Sequence, residues 1–580
     1  MPNIIRKILF LSSTFLCGFL HTAAQNTLLK ITVIDTVNIN KIITLKTSFS
    51  SKALCINYIN QLPILLQTKG YMAASIDSII EKQNTLEALL YIGNLYTWKN
   101  LKLPADVKNI VGINTKNIIN LPKQILNYYE NNGYPFAKIN FDSVSINNQN
   151  EISATLKIQK GILYKMDSIR VWGSTNISNR FLQHYLKMYN NNLYSKDKLD
   201  KINNRLSQLS YLSSYQNWDI LMLTHSYLLN LYVQPKKQNK FDAIIGFLPN
   251  NNQNNGKLLL TLDAKLNLQN AFAKGESIAI NWQQIQPQSP RIDIAFATPY
   301  IFNSDAGLSF NFNLYKRDSA YLNVTTDIGI DYELTEKTKF KIFVSNFSTR
   351  IITADTATIV NTKKLPPVLD VNIGNFGVAY HYHNTIGTTL NKRKGFELKI
   401  ATSFGQKKIK PNNTITSLKL DGFNYNSLYD SLKTNSYQIK TTIAAAKYIS
   451  LGKQKVLKLA ANYGLIQTPQ YLQNELFQIG GFKLLRGFDE ENIFTNEYVV
   501  GSVEYRYLLN QNSYFFGFTD AGFTKNKLTN RDYNFIGAGL GLALETKQGL
   551  LNISFAAGKR NDLPFNLRET KIHIGIISSL

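Results

Sequence analysis

The chain has 580 residues, too many for one ordinary domain, so several are expected. Its formal net charge is +26, yet the lysines are scattered, with no clustered basic helix and no base-reading module, which speaks against a nucleic-acid partner. No later segment offers the roughly 18 uninterrupted apolar residues of a membrane helix, so an exported chain with 32 Tyr and 32 Phe is either a soluble β protein or a transmembrane β-barrel.

Residues 1–24 read as an export signal. Arg6 and Lys7 form its basic start, Ile8 to Leu20 its apolar run, and Thr22-Ala23-Ala24 a small-residue cleavage site before Gln25. Cys17 follows the bulky Leu16, which argues against lipid attachment. Removing the signal leaves Cys55 as the only thiol, so no intrachain disulfide can form.

Residues 25–237 mix helix and strand patterns and divide into three units, 25–97, 98–164 and 165–237. Gly93-Asn94-Leu95-Tyr96-Thr97-Trp98 recurs 68 positions later as Gly161-Ile162-Leu163-Tyr164-Lys165-Met166. Gly70-Tyr71 recurs 63 positions later as Gly133-Tyr134, and each pair closes a helix-like segment. In the second copy Leu121, Ile125 and Tyr129 share a face, Pro122 suits the first turn, and Gly133 suits the position past the end. Strands follow at Ala137 to Phe141 and Ile152 to Ile158. In the first copy Pro63 interrupts the helix and is expected to kink it. The third unit starts at Ile169 to Gly173, continues through helical patterns over Asn179 to Met188 and Ser195 to Leu212, and ends in strands near Trp218 to Leu223 and Tyr227 to Val233.

From about residue 238 the period becomes two. Leu258, Leu260, Leu262, Ala264, Leu266 and Leu268 alternate with Thr261, Asp263, Lys265 and Asn267; Leu308, Phe310 and Phe312 alternate with Ser309, Asn311 and Asn313. About 16 such segments fill the last 343 residues, roughly 21 residues each, which suits membrane strands of ~9–11 residues with their connections. A soluble sandwich of this size would divide into separate domains, so the barrel is favoured. Its first strand falls at Phe241 to Phe247 and its last at about Thr570 to Leu580.

One connection, about Gly464 to Asn496, is long and carries Ile479, Phe482, Leu484, Leu485 and Phe488, apolar residues that should pack on something. Within it stands Leu485-Arg486-Gly487-Phe488. Two strand-like segments follow, each with a carboxylate: Gly501-Ser502-Val503-Glu504-Tyr505-Arg506, then Phe518-Thr519-Asp520-Ala521-Gly522. This succession resembles the BamA/TamA superfamily of outer-membrane assembly and secretion proteins, and the N-terminal units resemble its POTRA domains. The resemblance implies α+β POTRA-like repeats followed by an antiparallel 16-stranded transmembrane β-barrel, with the arginine loop folded into the lumen. Arg486 then needs anionic partners, for which Glu504 and Asp520 are the candidates. Gly487 permits close approach or positive φ, and Phe488 serves as apolar anchor. Alternation puts Gly537, Gly539 and Gly541 on the inward face, where they make room for the loop; with no helix after them they do not form a nucleotide loop.

The resemblance further implies a bacterial outer-membrane location with the repeats in the periplasm. It implies outer-membrane lipid, unfolded outer-membrane or secreted client proteins, and a periplasmic or inner-membrane-anchored protein as partners. Clients would be taken up by β-augmentation on the repeats, and the seam between first and last strands would open sideways. Three repeats fit the TamA-type organisation best. A terminal Leu580 departs from the aromatic end usual in such barrels. The chain lacks GxSxG, HExxH and a P-loop, so neither enzymatic activity nor a cofactor is expected. His381 and His383 share a strand face, but an aromatic-rich strand near the membrane interface accounts for them better than a metal. The alternatives are a two-partner-secretion-type transporter, a passive porin or receptor with a periplasmic stem, and a tether anchored by a closed barrel.

Overall fold

The computed structural model describes residues 27–83, 85–108, 120–236, 239–248, 259–286, 289–335, 337–419, 422–546 and 549–577. The expected export signal, Leu258 and Leu580 lie outside them. Two compact units emerge: one reaches to Asp167 and includes 190–200 and 222–227, and the other holds the remainder through the C-terminus.

In the first repeat, strand Thr27–Val33 runs parallel to Thr85–Tyr91, which pairs antiparallel with Ser75–Lys82. Helix Lys52–Gln67 covers this sheet because Cys55, Ile59, Leu62 and Leu66 fall on one face and are fully buried. It runs unbroken through Pro63, contrary to the expected interruption; Leu62 and Leu66, buried on either side of the proline, hold it on the sheet. The second repeat has the same plan, with Thr97–Lys102 parallel to Glu151–Gln159, and Lys138–Ile146 on the other side. Its helix Leu121–Asn131 buries Leu121, Ile125 and Tyr129.

The third repeat contains helix Asn179–Leu186 and strand Ser226–Pro235. The long helix expected over Ser195 to Leu212 is instead two short ones, Lys196–Asp200 and Ile202–Gln208, followed by strand Leu212–Ser214. Helix Asn179–Leu186 sits on two turns of the C-terminal sheet. Ser178 N–H donates to Ala273 O at 2.8 Å, and His184 Nδ1 and Tyr189 Oη lie 3.1 and 2.9 Å from Asp305 Oδ1.

The remainder is an antiparallel sheet of sixteen long strands in sequential order. They are Lys240–Leu248 (β1), Leu259–Gln269 (β2), Ser277–Gln286 (β3), Ser289–Thr298 (β4), Ala306–Arg317 (β5), Tyr321–Thr335 (β6), Thr338–Ile351 (β7) and Asp370–His383 (β8). Then follow Lys392–Lys410 (β9), Asn435–Ser450 (β10), Lys455–Gln467 (β11), Glu497–Leu508 (β12), Tyr514–Asn526 (β13), Arg531–Thr546 (β14), Gly549–Arg560 (β15) and Lys571–Ile577 (β16). A two-residue piece, Ile386–Gly387, also pairs with β9. Among the described residues the ladder does not join β1 to β16. The fold is thus an α+β N-terminal region followed by a 16-stranded β-barrel, whose outer face carries exposed Val503, Phe515, Leu540, Ile572 and Ile574. The connections 352–369 and 411–434 fold into a small apolar core of Ile359, Ile415, Tyr425 and Tyr429, which also takes in Leu472.

Candidate functional site

The long connection is shorter than its sequence suggested, because β11 continues to Gln467 and Gly464 lies within the strand. It begins with a turn of 3-10 helix, Gln473–Glu475, and a small hairpin of Phe477–Ile479 with Ile493–Thr495. Ile479 and Leu485 are buried with Tyr498 and Val500 of β12 and Phe535 of β14, so the connection is packed against the inner wall. Leu485 holds φ +66°, a costly conformation for a branched side chain, which its complete burial sustains. Phe488 meets Phe535 edge-on at 5.1 Å.

Arg486 lies over a patch formed by two adjacent strands. Its Nε and Nη2 donate to Asp520 Oδ2 and Oδ1 at 2.8 and 2.7 Å, a bidentate fork. Nη1 donates to Glu504 Oε2 at 2.6 Å, Nη2 also to Ser502 Oγ at 2.9 Å, and the backbone N–H of Arg486 to Asp520 Oδ2 at 2.9 Å. The guanidinium carbon is 3.5 Å from the centre of the Phe518 ring, within cation–π range. Glu504 is shared, since Arg506 Nε donates to its other oxygen at 2.8 Å while stacking on Tyr514. Two guanidinium groups therefore face two carboxylates in a nearly dry patch, and Lys458, the register partner of Glu504 on β11, adds a third cation beside them.

Ser502, Asp520, Gly537 and Gly558 are successive register partners on β12 to β15 and form one cross-strand row. The backbone of the loop lies along it. A Cβ on Gly537 would overlap Arg486 O, and one on Gly558 would come within 2.5 Å of Gly487 O. Gly487 itself holds φ +94° against Ala557 and Gly558. Gly539 and Gly541 do not touch the loop: they face the rings of Phe518 and Phe516. The sequence reading placed all three glycines of β14 under the loop, whereas the loop crosses strands instead of following one. Gly539 contributes indirectly, as floor for the ring that carries Arg486.

Three side chains escaped the sequence reading. His573 on β16 is buried and accepts the Gly487 N–H on its Nε2 at 3.0 Å. Lys407 on β9 and Glu475 form a fully buried pair at 2.6 Å, and Lys407 also donates to Gln470 O. An inward histidine next to an inward Gly575 on the last strand was a usable signal for the first; nothing local marks the second.

In the N-terminal unit the two repeated motifs meet each other. Gly70 O accepts from Tyr96 N–H, and Gly133 O from Tyr164 N–H, both at 2.8 Å. Both glycines hold φ near +100°, while Tyr71 and Tyr134 lean on their own helices, Tyr134 edge-on to Tyr129. His381 and His383 lie ring to ring at 5.2 Å, and His381 Nε2 is 3.2 Å from Glu397. Among the described residues, no three His, Cys, Asp or Glu side chains gather as metal ligands.

A family model described as the Omp85 superfamily domain matches residues 270–576, just over half of the chain. The structure of CdiB from Acinetobacter baumannii is similar with a TM-score of 0.50 and 13% identity, covering 88% of this chain and 94% of its own. CdiB from Escherichia coli gives 0.50 and 10%, with coverages of 90% and 96%. BamA from Haemophilus ducreyi lacking POTRA domains 1–3 gives 0.48 and 13%, with coverages of 83% and 98%. No curated protein sequence matches significantly.

Proposed function

The chain belongs to the Omp85 superfamily, and on that premise we propose that it inserts proteins into the bacterial outer membrane or moves them across it. The barrel crosses the outer membrane. The units 25–97, 98–164 and 165–237 are POTRA-like domains in the periplasm, and the connections 352–369, 411–434 and 468–496 lie on the outer side. Client segments in extended form add to free sheet edges of the repeats, such as Ser75–Lys82 and Lys138–Ile146. They then pass to the seam between β1 and β16. The Arg486 loop is the internal strut that Asp520 and Glu504 lock in place.

The observation that carries this reading is the combination of a lumen occupied by the Arg486 loop with a ladder whose end strands are unpaired with each other among the described residues. A filled lumen speaks against a passive pore, and an unpaired end offers a strand edge to an incoming chain. The test is cysteine crosslinking across the seam in intact outer membranes, with residues 244 and 574 and neighbouring registers substituted. Cys55, buried in the first repeat, is replaced or shown silent beforehand. Locking the seam is expected to stop delivery of outer-membrane or surface proteins while the barrel stays folded. Unimpaired delivery with a locked seam overturns the proposal, and persistent ion flux alongside it would mark a channel with a stem.

A further inference from the structure

Strand β16 has one ladder neighbour among the described residues, β15. It is also held from inside the lumen. Lys571, His573 and Gly575 recur at period two and all meet the long connection. Lys571 Nζ is 2.7 Å from Asp489 Oδ1, His573 Nε2 accepts the Gly487 N–H, and Gly575 lies under the Phe482 ring, where a Cβ would come within 2.8 Å of it. Ile572 and Ile574, between them, are exposed on the outer face.

The geometry at residues 486 and 487 is the informative part. Two successive backbone amides point to strands on opposite sides of the loop: Arg486 N–H to Asp520 on β13, and Gly487 N–H to His573 on β16. The intervening strands β14 and β15 contribute Gly537, Gly558 and the backbone of Ala557 beneath the peptide. The peptide therefore bridges β13 to β16 with no slack, because it rests on backbone and cannot sink further. A backbone N–H can only donate, so His573 serves with an unprotonated Nε2.

We propose that His573 is a positioning residue that couples the Arg486 loop to β16, so that release of the loop from Asp520 and Glu504 also releases the last strand. The bridge stands on this geometry alone; its use as a control on seam opening rests on the function proposed above.

The test is hydrogen–deuterium exchange of the full chain in lipid nanodiscs, read at residues 571–577, at 482–490 and across β12 to β14. His573→Leu keeps the bulk and removes the acceptor. It is expected to speed exchange in β16 roughly tenfold, the factor that about 1.4 kcal/mol gives, with β12 to β14 unchanged. His573→Gln returns an acceptor oxygen at similar reach and should stay within about twofold of the parent, a rescue that simple core filling does not predict. Arg486→Ala should speed both the loop and β16, and adding His573→Leu to it should have little further effect on β16. Should His573→Leu fail to fold, Phe482→Ala tests the same bridge from the loop side and is expected to speed β16 alone. Unchanged β16 exchange in these variants, a Gln variant as fast as the Leu variant, or multiplying effects in the double variant would overturn the coupling. No client protein enters the measurement, so its failure leaves the transport reading intact, and a failed delivery assay leaves the coupling intact.

Discussion

Lys407 and Glu475 hold the start of the 468–496 connection as a dry ion pair to which Gln438 also donates, whereas Arg486 holds its apex through five hydrogen bonds to three residues. Both side chains of the first pair are at most 1% exposed, against 12% for Arg486. The start is also roofed by the apolar core around Tyr425 and Tyr429, and Asn474 beside it donates to Thr349 and to Leu369 O. If Glu475 is lost, Lys407 keeps one carbonyl and no counter-charge among its bonded partners. If Arg486 is lost, Glu504 keeps Arg506 and Asp520 keeps Ser502. Breaking either tie leaves a buried group without a bonded counter-charge, Lys407 in the first and Asp520 in the second. The second, however, keeps Glu504 paired with Arg506 and is made by a side chain that is itself 12% exposed. The difference makes the start of the connection a pivot and its apex the part that is free to let go.

The largest expected effect tests the pivot. Glu475→Ala should cost about 3–5 kcal/mol, the usual result of stripping one partner from a buried pair. The combined change Lys407→Met with Glu475→Leu should recover part of that, because no buried charge is then unpaired, although Gln438 Nε2 and the Leu472 N–H lose Glu475 as their acceptor. Thermal unfolding of the purified chain in detergent reads both. A double variant as unstable as the single one would mean that the pair contributes shape or specific hydrogen bonds beyond its charge, and the contrast between the two ties would fail.

The apex should respond more weakly and less additively. Arg486→Ala and Glu504→Ala are each expected to increase protease sensitivity within 480–492, while 470–476 stays protected. Their coupling energy should fall within about 1–3 kcal/mol, since each removes an interaction the other has already lost. Arg486→Lys should behave like the alanine variant, because an ammonium cannot reproduce the fork on Asp520. Strictly additive effects would dissolve the proposed lock.

These two ties were unequally legible in the sequence. Arg486, Glu504 and Asp520 stand in consecutive short motifs on a loop and the two strands after it, so chain order alone brings them near one another. Lys407 sits in Lys407-Lys408-Ile409-Lys410, which reads as a solvated strand end, and Glu475 follows 68 residues later. Period two reports which face a residue occupies, but what covers that face depends on the path of a connection with no period of its own. The same limit explains the glycines. Alternation along β14 is visible in sequence, while the row Ser502, Asp520, Gly537, Gly558 exists only once register is known. The sixteen strands were readable because each repeats its alternation over many residues. The unbroken helix through Pro63 was not, because tertiary burial of Leu62 and Leu66 outweighed local preference.

A third charged contact extends the comparison to a wetter setting and carries the smallest expected effect. Asp305, in the turn between β4 and β5, receives helix Asn179–Leu186 through His184 and Tyr189, and its side chain is 31% exposed. Burial pushes its carboxyl up, but the hydrogen bonds from His184 and Tyr189 outweigh burial and hold it below the ordinary carboxylate value. A depressed carboxylate contributes fully above its unfolded pKa of ~3.9 and loses that contribution as pH falls through the folded value. Tyr189 behaves oppositely: burial and the Asp305 contact push it up to about 12. Its contribution is complete below the unfolded ~10 and disappears as pH rises through about 12. Attachment of this helix to its turn should therefore be flat from about pH 5 to about pH 9 and weaken outside that window. Amide exchange over residues 178–189 as a function of pH measures it, and Asp305→Asn should remove the acid limb while moving the plateau by no more than about 1 kcal/mol. A midpoint near neutral pH would show that neither Asp305 nor Tyr189 governs the contact. If burial is what separates a pivot from a releasable tie, the costs must fall in the order Glu475, Arg486, Asp305, and a weak Glu475 beside a strong Asp305 would reverse the argument.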